Sequence, residues 1–235
     1  MLNNISKLLF PNRCPACGDV MEDDGTYIHE ECRRYFRLIR EPRCFKCGRT
    51  LADSEDDICS ECRKKRHSYK YGLSLFEYNE TARRSMIDFK GKGIRRNGDF
   101  YADEMTYELG ALIKRFSPQV LVPVPITKRK LYERGFNQSE YIAGILGKKL
   151  DIPVDCDILY RTGKGNKSQK QLSGRERSGI KDSGFECVDD MPYRDVCIID
   201  DVYTTGNTIE SCTRALMRAG AVNVGFVTVF SGDMF

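Results

Sequence analysis

The feature of this sequence that most restricts its fold is a ligand pattern that occurs twice within the first 65 residues. Each copy has two pairs of potential metal ligands, and every position of the second copy follows its counterpart by 30 residues. The first copy consists of Cys14, Cys17, His29 and Cys32, and the second of Cys44, Cys47, Cys59 and Cys62. Eleven cysteines would suggest disulfides in a secreted chain, but this spacing is typical of zinc ligands. The pattern therefore predicts a duplicated zinc ribbon.

His29 is the one non-cysteine in the pattern. A lone histidine is more often an ordinary surface or core residue than a metal ligand. Here, however, His29 occupies the position that Cys59 holds in the second copy, and this register favours ligation. We therefore expect a Cys₃His site and a Cys₄ site. Because the protein fills all four corners of each, both zinc ions are expected to be structural rather than catalytic.

Length and charge set further limits on the chain. A length of 235 residues accommodates one α/β domain and a small module. Seven thiolates and two Zn²⁺ ions together contribute −3, which lowers the formal charge of +4 to about +1. Overall basicity is therefore a weak argument for binding nucleic acid. Any such argument must depend on local clusters of basic residues.

The apolar segments are short. Met1 to Phe10 contains no long apolar core of the kind found in secretory signals. The longest apolar stretches, near Val120 and Val222, are shorter than a membrane span. We therefore expect a cytoplasmic protein without membrane insertion.

A basic segment, Arg63 to Arg66, follows the second copy and is typical of a solvated linker. We place the domain boundary here, with residues 1–66 forming the double zinc ribbon and residues 67–235 an α/β domain. Beyond the linker, strand patterns alternate with helical ones, which predicts a parallel sheet flanked by helices. The predicted strands are 69–78, 120–123, 154–159, 196–199 and 222–229, and the predicted helices begin near residues 79, 99, 139 and 209.

The stretch from Val196 to Ile209 carries the strongest functional pattern. Four apolar residues predict a buried strand, and Asp200 and Asp201 follow at its carboxyl end, where open α/β sheets bind ligands. In a continuous strand the two acids would point to opposite faces, so both can serve one ligand only if the chain turns there. The run Thr204, Thr205, Gly206, Asn207 and Thr208 then precedes a helix, and a helix N-terminus attracts anions. The simpler alternative is a strand-to-helix turn in which an aspartate serves as a cap.

As a string, Asp-Asp-Val-Tyr-Thr-Thr-Gly-Asn-Thr resembles the motif with which type I phosphoribosyltransferases bind phosphoribosyl pyrophosphate (PRPP). The resemblance implies that Asp200 and Asp201 contact the ribose hydroxyls, or waters on the Mg²⁺ ion that accompanies PRPP. It also implies that residues 204–208 hold the 5′-phosphate. The predicted domain is accordingly phosphoribosyltransferase-like.

A second basic segment follows the strand that ends near Pro123. It contains Lys128, Arg129, Lys130 and Arg134, and composition alone is equally typical of an exposed basic loop. Beside a PRPP motif, a basic loop at another strand end is where the pyrophosphate would be neutralised. We therefore predict that these four residues bind PRPP.

A narrower resemblance covers nearly the whole chain. Leu9-Phe10-Pro11, both cysteine-rich copies, Arg-Gly-Phe-Asn-Gln at 134–138 and the acidic box resemble the ComF family. These proteins join a double zinc ribbon to a phosphoribosyltransferase-like domain and are associated with DNA uptake in competent bacteria. The resemblance also implies that the basic segment 161–181 is the flexible loop of the family.

Two functional hypotheses follow. The first is an enzyme that binds Mg²⁺–PRPP and transfers its phosphoribosyl group to an acceptor that the sequence does not identify. The second is a non-catalytic accessory of DNA uptake that senses PRPP and binds single-stranded DNA, with other competence proteins as further partners. Segment 161–181 has no aromatic residue for stacking bases, which disfavours it as the DNA surface.

Overall fold

The computed structural model describes residues 11–51, 57–162 and 184–232. In the cysteine-rich region, each copy begins with a tight turn between its first two ligands, and one antiparallel bridge closes each turn, Arg13 to Val20 and Arg43 to Thr50. A 3₁₀ helix, Glu30–Tyr35, follows the first copy's histidine, and α1, Ser60–Lys64, follows the corresponding cysteine of the second copy. The duplication seen in the sequence is therefore also present in the local structure.

A four-stranded parallel sheet forms the centre of the remaining chain. Its strands are β1 (Tyr71–Glu77), β2 (Val120–Pro123), β5 (Asp195–Tyr203) and β6 (Asn223–Ser231), in the order β1-β6-β5-β2. In the register of the two central strands, Asp200 lies opposite Thr228. A separate antiparallel pair is formed by β3 (Leu159–Arg161) and β4 (Phe185–Cys187).

Helices cover both faces of the sheet. On one face lie α2 (Glu80–Gly91), α3 (Arg95–Arg115) and α5 (Gln138–Leu150), and on the other lies α6 (Asn207–Arg218) with the β3–β4 pair. As predicted, Asn79 begins the first of these helices: its side chain accepts a hydrogen bond from the Ala82 N–H. The predicted fold class, a parallel α/β domain preceded by a small double zinc ribbon, is confirmed.

Several details of the prediction are wrong. Lys128–Arg134, expected to be a loop, forms the short helix α4, because Thr127 caps it and Gly135 ends it in a left-handed conformation. The strand expected at 154–159 is reduced to a bridge at Val154 followed by β3. Segment 161–181 lies outside the described residues beyond Thr162.

The two cysteine-rich copies pack on opposite faces of the sheet. Cys14, Cys32 and Phe36 share a buried cluster with helices α2, α3 and α5. Cys44, Cys47 and Leu51 share a second cluster with helix α6 and strands β5 and β6. Among the described ranges, no helix combines the length and apolar character needed to cross a membrane.

Candidate functional site

The two ligand sets predicted from the sequence are each assembled in space. The ligand atoms of Cys14, Cys17, His29 and Cys32 lie within 4.8 Å of one another, and so do those of Cys44, Cys47, Cys59 and Cys62. All eight predicted ligands are therefore in position to bind metal, including His29.

The spacing of these atoms fits zinc. In a tetrahedral site with Zn–S of about 2.3 Å and Zn–N of about 2.0 Å, two sulfurs are about 3.8 Å apart and a sulfur and a nitrogen about 3.5 Å. The Sγ atoms of Cys47 and Cys59 are 3.7 Å apart, and Cys17 Sγ is 3.5 Å from His29 Nδ1. Both distances match the edges of a zinc tetrahedron, as expected for structural zinc.

The crowding of the ligand sulfurs also suits a cation. Burial, followed by the neighbouring Cys14 sulfur, raises the pKa of Cys32 to about 12. Crowded thiols of this kind do not ionise together unless a positive ion stabilises them. Zn²⁺ would supply that charge and would hold the thiolates at the corners of a coordination tetrahedron.

The paired acids lie within strand β5, which continues to Tyr203 instead of turning at Asp200. Asp200 is 8% exposed and Asp201 is 6% exposed. The side chains of β5 do not alternate strictly between the two faces of the sheet. Ile199 and Val202 are three positions apart, yet both contact the cluster of α2, α3 and α5. Both carboxylates consequently reach polar groups carried by helices of that face.

Each acid has a specific partner on one of those helices. The hydroxyl of Ser139, at the start of α5, donates to Asp200 Oδ1 at 3.1 Å. The ammonium of Lys90, at the end of α2, lies 2.7 Å from Asp201 Oδ2, and this contact is an ion pair without good hydrogen-bond alignment. Two helices thus bring a donor and a cation to one strand end.

Burial, followed by the charge of Asp201, raises the pKa of Asp200 to about 7 from an ordinary 3.8. The Lys90 ammonium and the Ser139 hydroxyl oppose this rise without cancelling it. A ligand that brings hydroxyl donors or a divalent cation would stabilise the ionised form of Asp200. A carboxyl group with a strongly shifted pKa at the end of a strand is typical of a binding site.

The predicted phosphate-binding residues lie between this strand and helix α6. Gly206 precedes the helix with φ +76°, and it provides no side chain to cap the first turn. A Cβ at this position would lie 2.6 Å from the Tyr203 hydroxyl, so glycine is required here. Thr205, Asn207 and Thr208 are exposed and Thr204 is half-buried. The helix N-terminus therefore remains open to an anion.

The predicted basic residues are only partly near this site. Lys128, Arg129 and Lys130 are exposed on α4, where Arg129 pairs with Glu133 at 2.7 Å. Arg134 is half-buried and, together with Lys90, lines a cavity of about 400 Å³ between α2 and α4. Of the four predicted residues, Arg134 is thus the one that shares a cavity with Lys90, the partner of Asp201.

Sequence reasoning did not identify Lys90, Ser139 or Arg49. The Arg49 guanidinium, from the second cysteine-rich copy, donates to the Thr204 carbonyl in the predicted phosphate loop. In the sequence, Lys90 directly precedes Gly91 at the end of a helix, and Arg49 directly follows Gly48 of the metal-binding turn. Neither position indicates which distant residue the side chain contacts.

Comparison with known proteins gives three groups of matches. The double zinc ribbon domain family matches residues 5–65. Competence protein F of Haemophilus influenzae is 31% identical over 110 residues, covering 46% of this chain and 48% of that protein. Competence protein ComFC of Bacillus subtilis is 28% identical over 154 residues, covering 63% of this chain and 58% of that protein. DNA utilization protein YhgH of Escherichia coli K12 is 34% identical over 107 residues, covering 46% and 47%.

The chain thus spans about half the length of the curated relatives it matches. Among solved structures, it is similar to a purine phosphoribosyltransferase from Pyrococcus horikoshii, with a TM-score of 0.34 and 19% identity. That similarity covers 58% of this chain and 85% of the other.

The fold and the two metal centres define an α/β protein with a duplicated zinc ribbon at its amino-terminal side. Its matches to proteins named competence protein F and ComFC confirm the resemblance found in the sequence. Over about half of their length, the chain is similar to these competence proteins.

Proposed function

We propose that this chain binds Mg²⁺–PRPP at the carboxyl end of β5 and transfers its phosphoribosyl group to a nucleophilic acceptor. The observation that carries the proposal is the position of two buried carboxylates next to the open N-terminus of α6. One end of that arrangement suits sugar hydroxyls and the other suits a phosphate.

Each part of the ligand has matching residues. The amides and hydroxyls of residues 204–208 receive the 5′-phosphate, because the helix dipole and unpaired N–H groups favour an anion there. Asp200 and Asp201 accept hydrogen bonds from the ribose hydroxyls. Lys90 shifts from Asp201 toward the pyrophosphate, joined by Arg134 across the shared cavity. Lys128, Arg129 and Lys130 remain predicted pyrophosphate ligands.

In the reaction, the bond between ribose C1 and the pyrophosphate oxygen breaks as the acceptor forms a new bond to C1. The acceptor loses a proton, and pyrophosphate leaves with the electron pair of the broken bond. The positive charge that develops on the ribose needs no covalent protein nucleophile. Orientation by residues 204–208 and stabilisation by the carboxylates are the contributions of this chain.

The carboxylates also suit the metal ion. Mg²⁺ prefers oxygen ligands and retains several waters, and Asp200 and Asp201 can hold those waters. When bound, Mg²⁺ neutralises charge on the departing pyrophosphate. The raised pKa of Asp200, about 7, further implies that such binding releases a proton near neutral pH.

Binding calorimetry with Mg²⁺ tests this proposal. Asp201→Asn should weaken PRPP affinity at least tenfold, about 1.4 kcal/mol, because the contact loses its charge. Asp195→Asn is a matched control: it makes the same change in the same strand, at the opposite end, where Asp195 pairs with Asn223. If both variants bind like wild type, the acids serve only as part of a strand-to-helix turn.

Turnover separates an enzyme from a sensor. An enzyme releases pyrophosphate from PRPP when a suitable acceptor is present. Saturable PRPP binding without release from any candidate acceptor would instead support the non-catalytic alternative.

We also propose a role in DNA uptake or use, because the matched relatives are named competence proteins and DNA utilization proteins. Binding to single-stranded DNA should then be electrostatic. Neutralising Lys164, Lys167 and Lys170 should flatten the slope of log affinity against log salt by roughly 2, at about 0.7 per lost phosphate contact. An unchanged slope would exclude segment 161–181 as the DNA surface.

A further inference from the structure

We propose that Arg49 is a positioning residue through which the second zinc-binding half orients the phosphate loop, residues 204–206. The consequence for PRPP affinity rests on the proposed function, whereas the orientation of the loop does not. Arg49 itself contacts no ligand in this proposal; it acts through the backbone of Thr204.

The contacts of Arg49 span the zinc ribbon and the α/β domain. Its guanidinium donates through Nη2 to the Thr204 carbonyl and through Nε to Ser231 Oγ, at 3.2 Å. Nη1 pairs with Glu61 at 3.1 Å, and the guanidinium carbon lies 5.6 Å from the centre of the Tyr203 ring. The side chain of Arg49 is only 18% exposed, and its contacts with Thr204 and Ser231 are partly buried, whereas Glu61 is 60% exposed. A guanidinium fits such a site because its donors point in fixed, separate directions.

The metal site fixes this side chain from two directions. The Arg49 carbonyl accepts from the Cys44 N–H at 2.8 Å, and the Gly48 N–H donates to the Cys44 carbonyl at 2.8 Å. The backbone of Arg49 is therefore part of the knuckle around a zinc ligand. Its partner Glu61 directly precedes another ligand, Cys62. Zinc coordination thus restrains both the arginine and the acid that orients it.

Orientation of one peptide group links Arg49 to anion binding. A trans peptide is planar, with its C=O and N–H pointing in opposite directions. When Arg49 holds the Thr204 carbonyl, the Thr205 N–H is directed away from the ribbon. Gly206 by itself can adopt many backbone conformations. Because Arg49 holds the peptide group between Thr204 and Thr205, the loop beside this glycine has less freedom to rotate. The phosphate loop is consequently preorganised before a ligand arrives.

The duplication supports a specialised role for this residue. At the offset of 30 residues, Arg49 corresponds to Asp19, although the preceding glycines, Gly18 and Gly48, are the same. The Asp19 carbonyl accepts from the Cys14 N–H at 2.9 Å, so both positions have the same backbone role in their knuckles. Metal binding therefore does not require arginine at this position. The side chain differs where the second copy meets the loop.

Hydrogen exchange of the zinc-loaded chain tests the proposal without any ligand. Arg49→Ala should raise exchange about tenfold at the amides of Glu210 and Gly232, which donate to the carbonyls of Gly206 and Tyr203 beside the loop, while exchange in the central strands and the zinc content remain those of wild type. Arg49→Lys keeps one charged donor and should recover part of the protection. The matched control is Arg33→Gln, which breaks a 2.6 Å contact between the first copy and Glu104 of α3 and should leave the loop unaffected.

PRPP binding then tests the functional consequence. Affinity should fall about tenfold in Arg49→Ala, less in Arg49→Lys, and not at all in Arg33→Gln. Unchanged exchange at the amides of Glu210 and Gly232 in Arg49→Ala would overturn the positioning role, and so would an equal rise in exchange across the whole chain. If wild type fails to bind PRPP while the local rise in exchange is seen, Arg49 still orients the loop and the proposed function is what fails.

Discussion

The two cysteine-rich copies have the same ligand spacing but contact different parts of the molecule. The first copy lies against the helical layer, where Arg84 donates to the Ala16 carbonyl at 3.2 Å and Arg33 pairs with Glu104. The second copy lies against the sheet and the phosphate loop, through Lys46 to the Tyr69 carbonyl at 2.8 Å and Arg49 to Thr204. Duplication therefore preserved metal binding while the outward-facing side chains diverged.

This difference shows how a structural metal centre can influence a distant binding site. Zinc fixes only the ligand positions and the backbone turns between them. The effect on the rest of the protein depends on the side chains carried by those turns. By this reasoning the first copy mainly stabilises the fold, whereas the second also shapes the candidate site.

The largest expected effect comes from removing a metal ligand from each copy in turn. Structural zinc contributes on the order of 10–16 kcal/mol of apparent binding energy, so losing an ion should unfold its half of the ribbon. Cys47→Ser should empty the second site and perturb residues 204–206, whereas His29→Ala should weaken the first site and spare them. Elemental analysis and hydrogen exchange measure both effects. A single zinc ion per chain, unchanged in His29→Ala, would contradict the duplicated sites.

The equivalent glycines of the two copies allow a matched comparison. Gly18 has φ +83° and Gly48 has φ +71°, so alanine costs about 1–2 kcal/mol of conformational strain at either position. A Cβ on Gly18 meets nothing within 4 Å, whereas one on Gly48 would lie 2.6 Å from the backbone nitrogen of Ser74 in β1. Displacing that backbone adds about 1–3 kcal/mol for Gly48→Ala. The urea concentration at the unfolding midpoint should therefore be lower for Gly48→Ala than for Gly18→Ala. Equal midpoints would show that the second copy does not pack closely on the sheet.

The candidate site beside the second copy also contains a destabilising group. Because the pKa of Asp200 is raised from 3.8 to about 7, the folded chain retains a proton that the unfolded chain releases. The contribution of protonated Asp200 to the free energy of unfolding is complete below about pH 4 and is lost as the pH rises through 7. Between pH 6 and pH 8, wild type should lose about 1 kcal/mol more unfolding free energy than Asp200→Asn. Parallel pH dependence of the two proteins would show that the pKa of Asp200 is not raised.

The smallest expected effect concerns the contact of the first copy with α3. Arg33 and Glu104 have side-chain exposures of 46% and 15%, and a partly exposed pair of this kind contributes only about 0.5–1 kcal/mol. Arg33→Gln should lower the urea midpoint slightly, with an effect that shrinks further at high salt. A loss as large as that of Gly48→Ala would contradict the assignment of different roles to the two copies.

Local chemistry made several features predictable from the sequence alone. Ligand spacing predicted the eight side chains that the structure brings together, since two ligands separated by two residues can share one ion only in a tight turn. The apolar run before Asp200 identified a central strand, and Asn79 identified a helix start. These signals lie within a few residues of the structure they specify.

Only the tertiary structure identified the partners of the candidate site. Arg49 and Thr204 are 155 residues apart, and Ser139 and Asp200 are 61 residues apart. Neither pair has a sequence pattern, because the contact depends on where the ribbon and the helices pack on the sheet. The continuation of β5 beyond Asp200 was likewise decided by pairing with β6, which extends the strand through both acids to Tyr203. Local preferences determined the elements and metal ligands, whereas packing between distant segments decided which groups surround the acids and the phosphate loop.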